Sequence, residues 1–375
     1  AAFAGGVSMS LGYLGLILGA IFAGLVYVVI ALIVKFAGVK WINKLMPAVV
    51  IGPTVAIIGL SLAGNAIGDM TKGSYLVDGN PVASPLATIL CGVITLAVTC
   101  VSSVYGKKMG KLIPFIFGIL AGYGTAAILT IIGNAADIPA LMITNFAPLT
   151  SLVADGITIN TFFTVPEFTA LTAIKGISEL NASYIASIFV AYVPVAFVVF
   201  AEHIADHKNI STIIEKDLLE DPGLSRTLLG DGVGSMLGSL FGGCPNTTYG
   251  ESVGCVAITK NASVYTIITA AILAMLISFI APFVGFVNSI PSCVMGGVCM
   301  ALYGFIAVSG LKMVQKVDLE DNRNLFVVSA ILIAGIGGLT VSFGKVSITS
   351  VACALILGIL INILLSKKKP ESQAE

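Results

Sequence analysis

Gly242-Gly243-Cys244-Pro245-Asn246-Thr247-Thr248-Tyr249-Gly250-Glu251-Ser252-Val253-Gly254-Cys255-Val256-Ala257-Ile258-Thr259-Lys260 lies between two strongly apolar segments, yet holds a proline, four glycines, an asparagine, two adjacent threonines and an isolated carboxylate. Lipid does not tolerate such a stretch. Each unsatisfied amide costs several kcal/mol in hydrocarbon, so non-helical backbone persists at membrane depth only where protein buries it or where it lines a cavity. The stretch therefore reads as a broken membrane segment lining a binding site.

The rest of the chain supplies the membrane context. Of 375 residues, 57% are hydrophobic and only 10% are charged, with a mean hydropathy of +1.04, against roughly 25% charged in an ordinary soluble domain. This is the composition of a polytopic membrane protein, and it indicates neither nucleic-acid binding nor an acidic partner. The seven cysteines lie mostly within apolar runs and form no CxxC pair; they read as small core residues, not as a disulfide framework or zinc site. The chain opens Ala1-Ala2-Phe3-Ala4 with no methionine and no basic leader, and it is expected to be N-terminally truncated.

Apolar runs near spanning length fall at 12–34, 45–67, 84–105, 111–133, 182–205, 224–242, 264–290, 291–311, 324–343 and 347–365. Two shorter glycine-rich elements, 1–9 and 246–258, bring the count to about twelve. With the run 12–34 ending inside, sixteen of nineteen basic residues gather on the inner side, leaving Lys72, Lys175 and Lys345 outside, as the positive-inside rule requires. That alternation holds only if 246–258 and the strand-like residues before it make one crossing. The outer connection 134–181 has room for a short surface helix. The charged inner segment 206–223 reads as a solvated loop ending in the turn Asp221-Pro222-Gly223.

An internal repeat supports this reading. Ala1 to Val7 resembles Thr247 to Val253, and Pro47-Ala48-Val49-Val50-Ile51-Gly52 resembles Pro291-Ser292-Cys293-Val294-Met295-Gly296. Broken helices in corresponding halves point to a secondary transporter with its site between the repeats.

The intramembrane carboxylates are Glu202 and Glu251, with Asp206 at the edge of its helix and Asp231 early in the next. A carboxylate at this depth marks a substrate or proton path, and burial favours its protonated form, which suits a reversible proton carrier. Glu202 and Asp206 share one helix face, and His203 and His207 share the adjacent one. Two histidines could begin a metal site, but no cysteine or third histidine accompanies them; a hydrogen-bonded His203 beside Glu202 is the simpler reading. Tyr249 offers an aromatic wall and Gly250 a backbone N–H, with Phe3 as the matching wall from the first repeat, so that a flat ligand fits between rings. Tyr303 is a further candidate wall, and equally an ordinary core or interfacial tyrosine.

Pro245 to Glu251, Ala201-Glu202-His203 and Lys216 to Leu224 resemble the nucleobase/ascorbate transporter family (nucleobase cation symporter 2), in particular its uracil permeases. The family signature is met by Glu251, Gly254, Thr259 and Lys260, with Ser252 standing where an asparagine is usual. The resemblance covers essentially the whole chain. It implies an all-α polytopic membrane fold of seven-plus-seven inverted-repeat segments with two short antiparallel strands at the membrane centre, near Phe3 and Tyr249. About twelve of the fourteen segments are expected here, the first two being absent. The implied domains are a core (1–37 and 182–290), a gate (38–134 and 291–366), an extracellular connection (135–181) and a cytoplasmic tail (367–375).

The resemblance further implies uracil:proton symport across the inner (plasma) membrane, with no enzyme activity and no cofactor. Glu202 and Glu251 would accept from the ring N–H groups, and N–H groups at Phe3 and Gly250 would address the carbonyls. Asp206 stands where some relatives carry histidine, and it joins Glu202 and Glu251 as a proton-coupling candidate. Uracil, protons, the lipid bilayer and a second copy, paired through gate helices, are the implied partners. A xanthine, urate or other purine permease is the alternative within the class. An integral-membrane metalloenzyme using Glu202, His203, Asp206 and His207 is the alternative outside it, and a channel is disfavoured because the polar residues cluster at one depth.

Overall fold

Proline, serine and asparagine punctuate the apolar runs and decide where helices start. In the computed structural model, the described residues are 8–366 except 78, 79, 108, 155, 167, 250, 251, 254, 255, 257, 258, 260, 344 and 345. Phe3, Gly250 and Glu251 therefore lie outside them. The helices are α1 (Met9–Ala37), α2 (Ala48–Ser61), α3 (Ala63–Met70), α4 (Pro85–Tyr105), α5 (Pro114–Ala136), α6 (Ala182–Ile214), α7 (Leu224–Leu240), α8 (Val264–Ile277), α9 (Ala281–Ser289), α10 (Ser292–Val314), α11 (Asn322–Ile336) and α12 (Ser350–Ser366), with short helical turns between some of them. Among the described residues, six helical spans are long and apolar enough to cross a membrane, the α2–α3 pair counting as one; α8, α11 and α12 are shorter apolar helices. The only strands among the described residues are two small antiparallel hairpins, Leu76–Val77 with Asn80–Pro81 and Val341–Phe343 with Val346–Ile348. Described residues 244–249 are irregular backbone, and the segment expected to pair with them at Phe3 falls outside the described residues.

The chain divides into two compact units. One comprises 1–61, 167–253 and 306–375, and the other 62–166 and 254–305; these do not coincide with the core and gate segments set out above.

In the first unit Ser8 caps α1 by accepting from Leu11 N–H at 3.1 Å, and its hydroxyl donates to Glu179 at 2.8 Å. Asn181 caps α6 through Tyr184 N–H at 2.8 Å. Along α1, the rings of Tyr184 and Tyr192 lie against Gly15 and Gly19, one helical turn apart, and Tyr184 donates to the Leu11 carbonyl at 3.0 Å. α7 closes on the other side. Gly24 and Gly232 face each other so closely that a Cβ on either would come within 2.6 or 2.8 Å of the other's carbonyl oxygen. Small residues at such crossings let helices associate by close packing where lipid offers no hydrophobic drive. A core of Tyr27, Phe200, Ile204, Leu228, Ile331 and Leu355, among others, fills the unit.

The segment 206–223 departs from the solvated loop expected of it. α6 runs on through Ile214, and Asp206 and His207 are buried at 7% and 9% exposure. Both side chains have partners, which removes the cost of burying them. Only beyond Glu215, which takes a left-handed conformation (φ 56°), does the chain leave the helix; there Lys216 pairs with exposed Asp221 at 2.8 Å and holds its carboxyl below the usual range.

In the second unit α4 and α5 pack along threonine and glycine. Gly118 and Gly122 sit against Thr99 and Thr95, whose hydroxyls turn back to the carbonyls of Thr95 and Cys91 at 2.8 and 2.9 Å. Thr130 accepts from the N–H groups of Ile143 and Thr144 at 3.0 and 2.9 Å, which fastens the following connection. The apolar run 264–290, read above as one segment, is two helices. α9 starts at Ala281 with Pro282 in its first turn, where the missing N–H costs nothing, and Ile280 before it is extended. In the gap Phe279 C=O accepts from Thr164 N–H at 2.9 Å.

The second repeat pairing has a structural counterpart. α2 and α10 both start directly after proline, and the carbonyls of Pro47 and Pro291 each accept from the third and fourth residues onward at 2.9 to 3.3 Å. Within the first unit Gly52 packs against Gly310 and Val314, and within the second the equivalent Gly296 packs against Ala66 and Met70. A Cβ at Gly310 would fall on the backbone of Ala56, whereas Gly304, on the same helix, faces open space. Gly310→Ala is expected to destabilise the protein by about 1–3 kcal/mol through overpacking, and Gly304→Ala to be neutral or stabilising by up to about 1 kcal/mol through helix propensity. Thermal unfolding of the two purified variants in detergent checks the pair.

Candidate substrate and proton site

Three helices of the first unit and the irregular segment 244–249 build the site. Proline at 245 and threonines at 247 and 248 keep this segment from continuing α7, so its amides need partners elsewhere. α7 supplies them. Ser235 Oγ accepts from Asn246 N–H at 2.9 Å and donates to Asn246 C=O at 3.0 Å, a two-bond clip that does for one residue what a neighbouring strand would do. α6 supplies the next contact, with Thr248 Oγ1 donating to Asp206 Oδ2 at 2.6 Å. A hydroxyl at this distance from a carboxylate is a strong, charge-assisted bond. It ties the buried acid to the residue directly before Tyr249.

On the neighbouring face of α6, His203 is 1% exposed and lies between two groups of α7, with Nδ1 3.0 Å from Asp231 Oδ2 and Nε2 3.2 Å from Thr227 Oγ1. Thr227 also lies 3.1 Å from the Leu224 carbonyl. A hydroxyl has one proton to give. With His203 neutral, Thr227 can donate to its Nε2; with His203 charged, Nε2–H donates to Thr227, which then donates to Leu224 C=O. The cluster accommodates either protonation state without displacing a heavy atom. His207 stacks on His203 with centroids 4.2 Å apart, and its Nδ1–H donates to the His203 carbonyl at 2.8 Å. His203 is thus hydrogen-bonded, as the sequence suggested, with Asp231 and Thr227 as its partners. Among the described residues no group of three or more His, Cys, Asp or Glu side chains is arranged to hold a metal ion.

The expected site residues divide as follows. Glu202, Asp206 and Tyr249 belong to the first unit, with Glu202 half-buried, Asp206 buried and Tyr249 60% exposed. Tyr303 belongs to the second unit, half-buried one turn along α10 from Cys299. Phe3, Gly250 and Glu251 lie outside the described residues. Asp231 stood out in the sequence as an intramembrane acid, but its histidine partner did not.

Beside this network is a cavity of about 250 Å³ between α1, α6, α7 and residues 245–247. Val195, Ala196 and Val199 make an apolar wall, and Tyr27 and Thr247 belong to the lining as well. Tyr27 sits edge-on to His203 and Phe200, with centroids 5.9 and 6.4 Å away. No feature of the apolar run 12–34 distinguished Tyr27 from a core aromatic.

Broken membrane helices around an internal cluster of carboxylates and hydroxyls define a multi-pass membrane protein of the transporter class. A family model described as "Permease family" (Xan_ur_permease) matches residues 2–344, and the chain belongs to that family. It is 37% identical over 361 residues to the uracil permease of Bacillus subtilis, covering 94% of this chain and 76% of that protein. It is 37% identical over 351 residues to the uracil permease of Bacillus caldolyticus, with coverage of 93% and 74%. To the uracil permease of Escherichia coli K12 it is 35% identical over 368 residues, with coverage of 97% and 78%.

The His203–Asp231 pair gives a direct test. Asp231→Ala strands a buried imidazole and is expected to cost about 3 kcal/mol, while Asp231→Asn keeps an acceptor for Nδ1–H and loses much less. Thermal unfolding of both variants at neutral pH checks the order.

Proposed function

We propose that this protein imports uracil together with protons across the inner (plasma) membrane by alternating access, with the core segments (1–37 and 182–290) moving in an elevator-like manner against the gate segments (38–134 and 291–366). Membership of a permease family whose relatives include named uracil permeases supports the substrate. The observation that carries the mechanism is the Thr248–Asp206 bond. It joins a protonatable group on α6 to the segment that bears Tyr249, Gly250 and Glu251, so the state of the acid and the placement of the ligand-binding segment form one network.

Uracil offers two ring N–H donors and two carbonyl acceptors around a flat ring. Glu202 and Glu251 accept from the donors, backbone N–H groups at Phe3 and Gly250 address the acceptors, and Tyr249 walls the ring. Loading the site with a proton along with the neutral base lowers the net negative charge that would oppose movement through the low-dielectric interior. It also supplies the differential binding that any shift between two states requires. A second copy, paired through gate helices, steadies the moving core.

Calorimetry on the purified protein at two pH values, with xanthine as comparator, tests the reading: uracil binds with proton uptake and xanthine does not. Xanthine binding in its place moves the substrate to the purines. Glu251→Gln exchanges a charged acceptor for an amide and is expected to weaken uracil binding about 10- to 100-fold and to abolish proton-coupled uptake in vesicles. Coupled uptake that survives this substitution would sink the assignment.

A further inference from the structure

Two hydroxyls in the cavity of the first unit are left over once the network above is complete. Tyr27 is 4% exposed, and its phenolic oxygen has no hydrogen-bond partner; nor has Thr247 Oγ1, which is equally shut off from solvent. The two hydroxyls lie within weak hydrogen-bonding reach of each other, yet fall short of a well-formed bond. Both belong to the cavity lining. A buried hydroxyl without a partner is costly, and a cavity in which apolar walls surround a few convergent polar groups is the usual form of a small-ligand site.

The surroundings make this a designed arrangement. The two-bond clip from Ser235 fixes Asn246, and the Thr248–Asp206 bond fixes the residue on its other side, so Thr247 is held from both ends. Packing against Phe200 and His203 holds the Tyr27 ring. Glu202, to which the reading above gives a ring N–H group, lies within electrostatic range of Tyr27, as does Asp231, the partner of His203.

We infer that Tyr27 and Thr247 form a hydroxyl clamp that selects the ligand by donating to one of its ring carbonyls. This rests on the reading of the site as a pyrimidine site. A carbonyl oxygen has two lone pairs. A backbone N–H takes one, the two hydroxyls of the clamp share the other, and the apolar wall of Val195, Ala196 and Val199 accommodates the C–H edge of the ring. The clamp distinguishes a carbonyl oxygen from a weaker acceptor at the same ring position, which the carboxylates cannot do because they contact only N–H groups.

The test uses Tyr27→Phe, which keeps the ring and its contacts, and Thr247→Val, which keeps the shape, each in the purified protein. Uracil, 2-thiouracil and 4-thiouracil serve as probes, since sulfur accepts hydrogen bonds more weakly than oxygen. Each variant is expected to bind uracil about 10-fold more weakly, and the wild-type preference for uracil over one of the two thio analogues is expected to shrink. A merely structural role would move all three affinities together and leave the preference intact, which overturns the inference. Undiminished uracil binding by both variants overturns it as well and leaves the substrate reading standing. No uracil binding by the wild-type protein overturns the substrate reading and the clamp with it.

Discussion

The fold depends on a constraint that water-soluble proteins do not face, namely that irregular backbone at membrane depth must find all its partners inside the protein. Within residues 244–249 the chain borrows side chains from two helices. Ser235 of α7 satisfies both backbone groups of Asn246, and Asp206 of α6 takes the Thr248 hydroxyl. An acid and a serine within apolar helices would destabilise those helices in isolation; here they are the supports of a segment that could not otherwise sit where it does. Helix packing follows from the same requirement. α1 and α7 approach to glycine distance at Gly24 and Gly232, and Tyr184 and Tyr192 of α6 lie against the glycines of α1, so the three helices form a tight frame around the broken element.

α6 carries the functional chemistry on two adjacent faces. One presents Asp206 to the irregular segment, and the other presents the His203–Asp231–Thr227 cluster to α7. Helical geometry alone puts both pairs one turn apart. Asp206 and His207 are held by partners, so α6 carries them buried as it runs on to Ile214.

Much of this was legible in the sequence, for reasons that differ from element to element. Apolar runs of spanning length became helices with small shifts in their ends, because a segment without charges has few alternatives at membrane depth. The broken character of 242–249 was legible because proline and clustered glycines cannot continue a helix. Charge misled at the start of 206–214, where the helix continues and Asp206 and His207 are buried, since nothing local announces a partner at Thr248. The single run 264–290 failed to reveal its break because Pro282 was outweighed by the hydrophobicity around it. The His203–Asp231 contact spans 28 residues and two helices, and the hydroxyls of Tyr27 and Thr247 meet only through tertiary packing. Side-chain pairing across helices has no periodicity for a sequence pattern to expose.

The two histidines are the only ones in the chain, and they lie stacked beside the network that links α6 to α7 and to the irregular segment. The carbonyl that His207 contacts can only accept, so the tautomer of that ring is decided by its neighbour. A sample labelled with nitrogen-15 in histidine would therefore display two imidazoles and no others: one whose tautomer is set by its own helix, and one held between Asp231 and Thr227 of the neighbouring helix. The molecule thus carries a reporter of one helix stacked against a reporter of the contact between two.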